Sequence, residues 1–486
     1  MDDFDVVVVG GGINGAGLAR DLAGRSWRVL LAERDDLASH TSSASTKLVH
    51  GGLRYLETYE FGLVRKALQE REVLLKSAPH LIQPLRFVLP HASHLRPAWM
   101  IRIGLFLYDH LARRELLPGS HGLRLAGSLY GAPLKPEFTR GFVYSDGWVD
   151  DARLVVSNAR DAQARGAEVL TRCAVTHTER GADAWHVTLQ NGRRLRARAL
   201  VNAAGPWAER FLRDQGLPTR NLRLVKGSHI VVDQRFTHDH AYIFQNPDGR
   251  IIFAIPYQER FTLIGTTDVE LPEHDEPPSR AQIEQEEIDY LCEQASRYLA
   301  RPVTPADVRW TYSGVRPLLD EGGSASSVTR DYLLETDTAG APLLNVWGGK
   351  LTTYRKLAED GATQLGELLG DARKPWTATA KLPGGDLGKH GVDIAAFTAE
   401  LQARHAGRSP AAVARMARAY GSETAGLLAN PGPEIAPGLY DAELRHLVDV
   451  EWARSAEDVL WRRSKLGLHY TPEQQAAVTD WFDSAA

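Results

Sequence analysis

Gly10, Gly12 and Gly15 of this 486-residue chain stand at G-x-G-x-x-G spacing, and Glu33 follows downstream. Glycines so spaced can bring bare backbone N–H groups against the phosphates of a dinucleotide, and an acid about 20 residues on can accept a ribose hydroxyl. The first glycine allows a tight turn, the second lets the backbone approach a pyrophosphate, and the third lets a helix pack close to a strand. Asn14 lies in the same turn. To position these residues, a strand must stop at Gly10 and a helix must begin just beyond it. Four consecutive valines at 6–9 read as a buried strand, residues 16–22 suit a helix, and residues 28–31 read as a second strand ending near Glu33. The unpaired amides of that helix would face the phosphates. This stretch predicts a ligand with an ADP half, with NAD and FAD both open.

Residues 39–59, SHTSSASTKLVHGGLRYLETY, suit backbone lying against a flat ring system and its phosphate tail. They offer Ser42, Ser43, Ser45, Lys47 and Leu48 to a cofactor, followed by His50, Arg54 and Tyr55. Two later loops of small residues are expected beside the same cofactor. One carries Ala203 and Gly205 after a strand; the other, NVWGGKLTTYRK, carries Gly349, Lys350, Leu351 and Thr352. Val175 joins this cofactor set.

A chain of this length exceeds one hydrophobic core and predicts two or three domains. A formal net charge of -4 argues against a nucleic-acid binder. Cys173 and Cys292, the only cysteines, form no metal or redox motif, so no metal and a reduced, cytoplasmic setting are expected. The acidic start MDDFD leads straight into a strand and leaves no room for a signal peptide. No apolar run reaches the roughly 18 residues of a membrane span, so any membrane contact would be from one side.

Further along, residues 61–78 read as an amphipathic helix and residues 79–144 as an irregular, proline-rich insertion. Within it, WMIRIGLFLYDHL at 99–111 is flanked by Arg96, Arg102, Arg113 and Arg114. That composition fits an in-plane membrane anchor and equally a helix packed on a sheet. Residues 149–166 read as a helix, 185–189 and 195–200 as a hairpin about Asn191-Gly192, and four segments between 223 and 265 as an antiparallel sheet able to roof a ring. The expected fold is an α/β Rossmann-like domain with a mixed sheet (1–78, 145–210 and 311–372). Inserted in it is an α+β substrate domain roofed by an antiparallel sheet (79–144 and 211–310), and a C-terminal all-α domain (373–486) follows, without evident chemistry.

Taken together, GGGINGAGLARD, SSASTKLVHGGLRYLE, KGSHIVV, IGTTDVE, TYSGVRPL, GGKLTTYRKLA and the C-terminal EWARSAEDVLWRR closely resemble the aerobic FAD-dependent glycerol-3-phosphate dehydrogenases of the glycine/D-amino-acid oxidase superfamily. The similarity runs nearly end to end. One departure is Arg25-Ser26, where the family usually has Arg-Gly; a small change of turn geometry is expected. Neither a cysteine-rich C-terminal part nor a DxDxDG calcium loop is present, which favours a single-subunit bacterial type.

The resemblance implies FAD as cofactor and oxidation of sn-glycerol 3-phosphate to dihydroxyacetone phosphate, with electrons passed to membrane quinone. It further implies a homodimer peripherally attached to the inner face of the cell membrane. A phosphomonoester needs converging basic groups, and Arg has the planar fork for it. By resemblance, Arg54, Arg316 and Arg330 match substrate positions, with Tyr55, Thr266 and Lys350 beside them. His50 or His229 is expected to take the hydroxyl proton, with water as the alternative acceptor. Lys350 could also stabilise negative charge at the flavin N1-C2 edge. The rival readings are a glycerol-3-phosphate oxidase, an amine or amino-acid oxidase using oxygen, and a non-enzymatic flavin-binding scaffold.

Overall fold

The computed structural model describes residues 2–92, 96–272, 280–320 and 331–485. Two sheets dominate them. The first begins with Asp2–Val9, whose valines are fully or almost fully buried, flanked in parallel by Val29–Ala32 and Arg194–Asn202. Glu168–Leu170 and Leu343–Gly348 extend it in parallel on either side, and Tyr332–Asp337 closes one edge antiparallel. The hairpin Val175–Arg180/Trp185–Leu189 is paired to Arg194–Asn202. The sheet is therefore mixed, as the valine runs and the Asn-Gly turn suggest.

Helices Ile13–Gly24, Asp151–Ala164 and Tyr354–Leu368 share a core on one face. Close approach is possible because Gly17 faces Tyr354; a Cβ there would come within 2.8 Å of its ring. At the end of the first helix Ser26 takes φ 64°. Its N–H donates to Ala23 and that of Trp27 to Leu22, so the helix closes in the Schellman arrangement usually built on glycine. Serine thus adopts here the left-handed conformation that glycine usually takes.

The second sheet is largely antiparallel and spans the order 269–270, Leu222–Asp233, Phe261–Gly265, Ile251–Tyr257, Ala241–Gln245, Ile82–Pro90, Arg140–Val149 and Leu48–Val49. Val308–Leu319 pairs along Leu222–Asp233. Residues 79–144 are thus less irregular than their prolines suggest, since Pro84 and Pro90 lie inside a paired strand. Arg140–Val149 runs across the expected boundary at 145, and Val308–Leu319, placed mostly in the FAD-binding segment by the boundary at 311, is bonded into this second sheet. Ladder partners far away in sequence decide membership, and the sequence pattern does not reveal them.

Helix Ala98–His110 buries Leu105 and Tyr108 on this sheet's core. Its opposite face leaves Trp99, Ile103 and Phe106 more than half exposed, at 64%, 52% and 54%. The helix therefore packs on the sheet, one of the two arrangements its composition allows, and presents an apolar face outward. The C-terminal region packs its own core from Ile394–Arg404, Pro410–Tyr420, Asp441–Asp449 and Pro472–Ala485, with a two-stranded hairpin and a π-helical turn, Asp458–Arg463. It docks through buried Arg153–Glu451 and through Arg160–Glu423. Among the described residues no helix is long and apolar enough to cross a membrane.

Candidate active site

A cavity of about 1060 Å³ opens between the two sheets, at the upper end of the range for small-molecule sites. At one end the turn after Asp2–Val9 forms its wall. Gly10 has φ 107°, and a Cβ there would sit 2.5 Å from the Ala203 carbonyl. A Cβ on Gly15 would overlap the Gly10 carbonyl, so Gly15 serves packing and lies outside the cavity lining. Glu33 is buried beside this turn: one carboxylate oxygen accepts the Gly11 N–H at 2.5 Å and the other the Asp35 N–H at 2.8 Å. Burial raises its pKa against those hydrogen bonds. A carboxylate has lone pairs left for a ribose hydroxyl. Ser42 Oγ accepts the Ile13 N–H, and Asn14 donates to Gly348 while its Oδ1 is buried with no hydrogen-bond partner.

Gly12, Ser45, Leu48, Val175, Ala203, Gly205, Gly349, Leu351 and Thr352 also line the cavity. Ser43 and Lys47 do not. Lys47 is turned inward, its Nζ 2.8 Å from buried Asp151 and 3.0 Å from the Ser43 carbonyl, while Ser43 Oγ donates to His40. A lysine this deep needs a counter-charge, and Asp151 provides it. Sequence reading misses Trp207 at this part of the cavity, with Arg34 Cζ 4.0 Å over its ring centroid and the tilted His40 ring 4.5 Å away, because Trp207 arrives from a distant loop. His40 also bonds Asp35 at 2.8 Å, so Glu33, Asp35 and His40 form a hydrogen-bonded group here.

Basic side chains also line the cavity. Arg316, on Val308–Leu319, points into the cavity over Gly227; Nη2 donates to the Thr267 carbonyl at 2.9 Å and pairs with Asp268 at 2.7 Å. A Cβ on Gly227 would overlap this nitrogen and stand 2.8 Å from Thr266 Oγ1. Lys350 Nζ lies 3.6 Å from the Tyr55 ring centroid, a cation–π contact that fixes its direction. Arg54 is at the exposed rim. His50 lines the cavity and its N–H bonds Thr352 Oγ1. Arg330 lies outside the described residues.

His229 is buried and stacks on Tyr312, with centroids 4.7 Å apart; Nε2 meets Thr46 Oγ1 at 2.9 Å and Nδ1 has no hydrogen-bond partner. Burial first, then Lys47 and Arg316, hold its pKa well below the usual histidine value. It is neutral at pH 7. The cavity wall is completed by Leu53, Phe87, Ile243 and Phe253, an apolar surface. One cavity thus combines a glycine turn, an apolar wall, the basic side chains of Arg54, Arg316 and Lys350, and a neutral imidazole.

Residues 5–355 match the family described as FAD dependent oxidoreductase, and residues 375–485 match the C-terminal domain of alpha-glycerophosphate oxidase. The glycerol-3-phosphate dehydrogenase of Pseudomonas aeruginosa is 51% identical over 99% of this chain and 95% of its own. The chain belongs to the FAD-dependent glycerol-3-phosphate dehydrogenase family. Within this range of similarity stands a D-erythritol 1-phosphate dehydrogenase of Brucella abortus, 48% identical over 99% of this chain and 98% of its own. A glycerol-3-phosphate dehydrogenase from Bacillus halodurans, solved with FAD, superposes with a TM-score of 0.75 at 28% identity, covering 99% of this chain and 94% of that one. FAD is the cofactor of this dehydrogenase family. The residues here fit it: Gly10 and Gly12 line the cavity with bare backbone, and Asn14 Oδ1 beside them is buried without a hydrogen-bond partner.

Proposed function

We propose that this chain oxidises sn-glycerol 3-phosphate to dihydroxyacetone phosphate and passes the electrons to a membrane quinone. The observation that carries the reading is that Arg316, Lys350 and Arg54 line the same cavity as the glycine turn. A single carboxylate would call for fewer cations than a phosphate dianion does. Bound FAD supplies the two-electron oxidation of the secondary alcohol.

The chain's own residues bind, orient and deprotonate. Arg316 offers the guanidinium fork to phosphate oxygens, held in direction by Asp268 and the Thr267 carbonyl. Lys350, braced on Tyr55, and Arg54 at the rim supply the remaining charge. His229, kept neutral beside Arg316, takes the hydroxyl proton, and the Thr46 hydroxyl fixes its ring. His50 is the second candidate for that role. Arg330 is retained as a further phosphate ligand by resemblance.

The exposed apolar face of Ala98–His110 supports peripheral attachment to a membrane, which suits a lipid-soluble acceptor. Anaerobic addition of sn-glycerol 3-phosphate to the purified yellow protein tests the reading: the flavin band bleaches. D-Erythritol 1-phosphate in a parallel sample bleaches it more slowly. No bleaching with either overturns the reading, and faster bleaching with the erythritol ester reassigns the substrate. Reoxidation by a soluble quinone and not by air distinguishes the dehydrogenase from the oxidase.

A further inference from the structure

We propose that Trp461, Arg462, Arg463 and Lys465 in the C-terminal domain are positioning residues for FAD, holding two walls of its cavity from behind. The inference rests on FAD as the cofactor and is independent of the substrate assignment. None of these four residues lines the cavity.

Arg463 is almost fully buried and forks onto Asp36, each nitrogen 2.8 Å from one carboxylate oxygen. Arg462 adds a third contact to the same carboxylate at 2.7 Å. Asp36 belongs to the turn just after Glu33, and that turn is packed on the dinucleotide loop: Ala38 N–H donates to the Gly11 carbonyl, and a Cβ on Gly11 would come within 2.8 Å of Leu37. The guanidinium fork therefore fixes the backbone that fixes Gly11 and Glu33.

The second wall is reached by Lys465 and Trp461. Lys465 is buried, its Nζ 3.4 Å from Asp150 and 3.1 Å from the Arg462 carbonyl. Asp150 caps the helix whose next residue, Asp151, takes Lys47 and the N–H and hydroxyl of Ser45. Trp461 stacks on Trp310, centroids 5.0 Å apart; Trp310 leans on Tyr312, whose hydroxyl donates to the Ser45 carbonyl and whose ring stacks on His229. Ser45 and His229 both line the cavity.

Simple docking does not require this arrangement. Arg153–Glu451 and Arg160–Glu423 already join the C-terminal domain to the helix Asp151–Ala164. Buried ion pairs contribute little net stability compared with apolar packing but are strongly directional. Residues 461–463 also occupy a π-helical turn, a feature frequent at functional sites.

The test follows FAD release from the full-length holoenzyme after dilution, by the rise of free-flavin fluorescence, alongside the melting temperature by circular dichroism. Arg463→Met is expected to release FAD about tenfold faster than the parent, and Arg463→Lys, which keeps the charge without the fork, to fall between them. Arg160→Met removes the docking pair with Glu423 and a 3.6 Å approach to Glu451 while leaving the contacts to Asp36 in place, and is expected to lower the melting temperature with FAD release within about twofold of the parent. Should Arg463→Met not accumulate, Arg462→Gln reads the same contact at the edge of the cluster, with release about threefold faster expected. Unchanged release in these variants, or the same acceleration in Arg160→Met, overturns the proposal.

Discussion

Substituting Gly227 by alanine should disable the proposed phosphate site without touching a charged residue. Gly227 lies in the strand Leu222–Asp233 and is not among the glycines with positive φ, so the backbone accepts alanine. The added Cβ would overlap Arg316 Nη2 and stand 2.8 Å from Thr266 Oγ1. The obstructed atom is the far end of a flexible side chain, so the fold survives while the guanidinium moves by about 1 Å to restore van der Waals separation. That shift breaks the contacts of Nη2 to Thr267 and Asp268, which give the fork its direction. Misdirecting one charged hydrogen-bonding group costs about 1.5–3 kcal/mol, hence roughly 10- to 100-fold in kcat/KM for sn-glycerol 3-phosphate. Steady-state kinetics with an artificial electron acceptor read this loss, with FAD content and melting temperature as controls expected to hold. In an Arg316→Ala background the penalty should shrink to the part carried by Thr266, because the clashing group is gone. Parental kcat/KM in Gly227→Ala, or a penalty undiminished in the Arg316→Ala background, refutes the reasoning.

Two further outcomes are expected. Replacing Ile103 and Phe106 together by glutamate should abolish co-sedimentation with phospholipid vesicles, since each apolar side chain withdrawn forfeits about 2 kcal/mol; equal co-sedimentation would remove helix Ala98–His110 as the anchor. For pH, burial first and then Arg153 and Arg160 push the pKa of His80 down to about 3 from 6.5. The unfolded chain therefore takes up this proton first. Stability is fully present above pH 6.5 and falls as pH drops toward 3, by about 2 kcal/mol at pH 5. Melting curves at pH 7 and pH 5 should separate less in His80→Gln than in the parent, and equal separations would exclude His80 as the source.

The residue sequence by itself determines whatever rests on neighbours along the chain. The glycine spacing, the valine strand and the small-residue loops at 39–59 and 345–356 are legible because a tight turn, a helix start and a close backbone approach each demand particular residues within a few positions. Arg316 and Lys350 are singled out by resemblance, and the structure, with Arg316 on a strand, brings both into one cavity. Only the tertiary structure decides which charges meet. Lys47 looks available for a phosphate until Asp151, 104 residues away, is seen to take it. Asp268 directs Arg316, and Trp207 supplies a stacking surface to Arg34 from a separate element. The C-terminal domain shows no chemistry as sequence, yet Arg463 reaches across 427 positions to the turn behind the dinucleotide loop. A charge finds its partner through space, and the strand register and domain docking that bring such partners together arise from burial of whole elements, which no local spacing encodes.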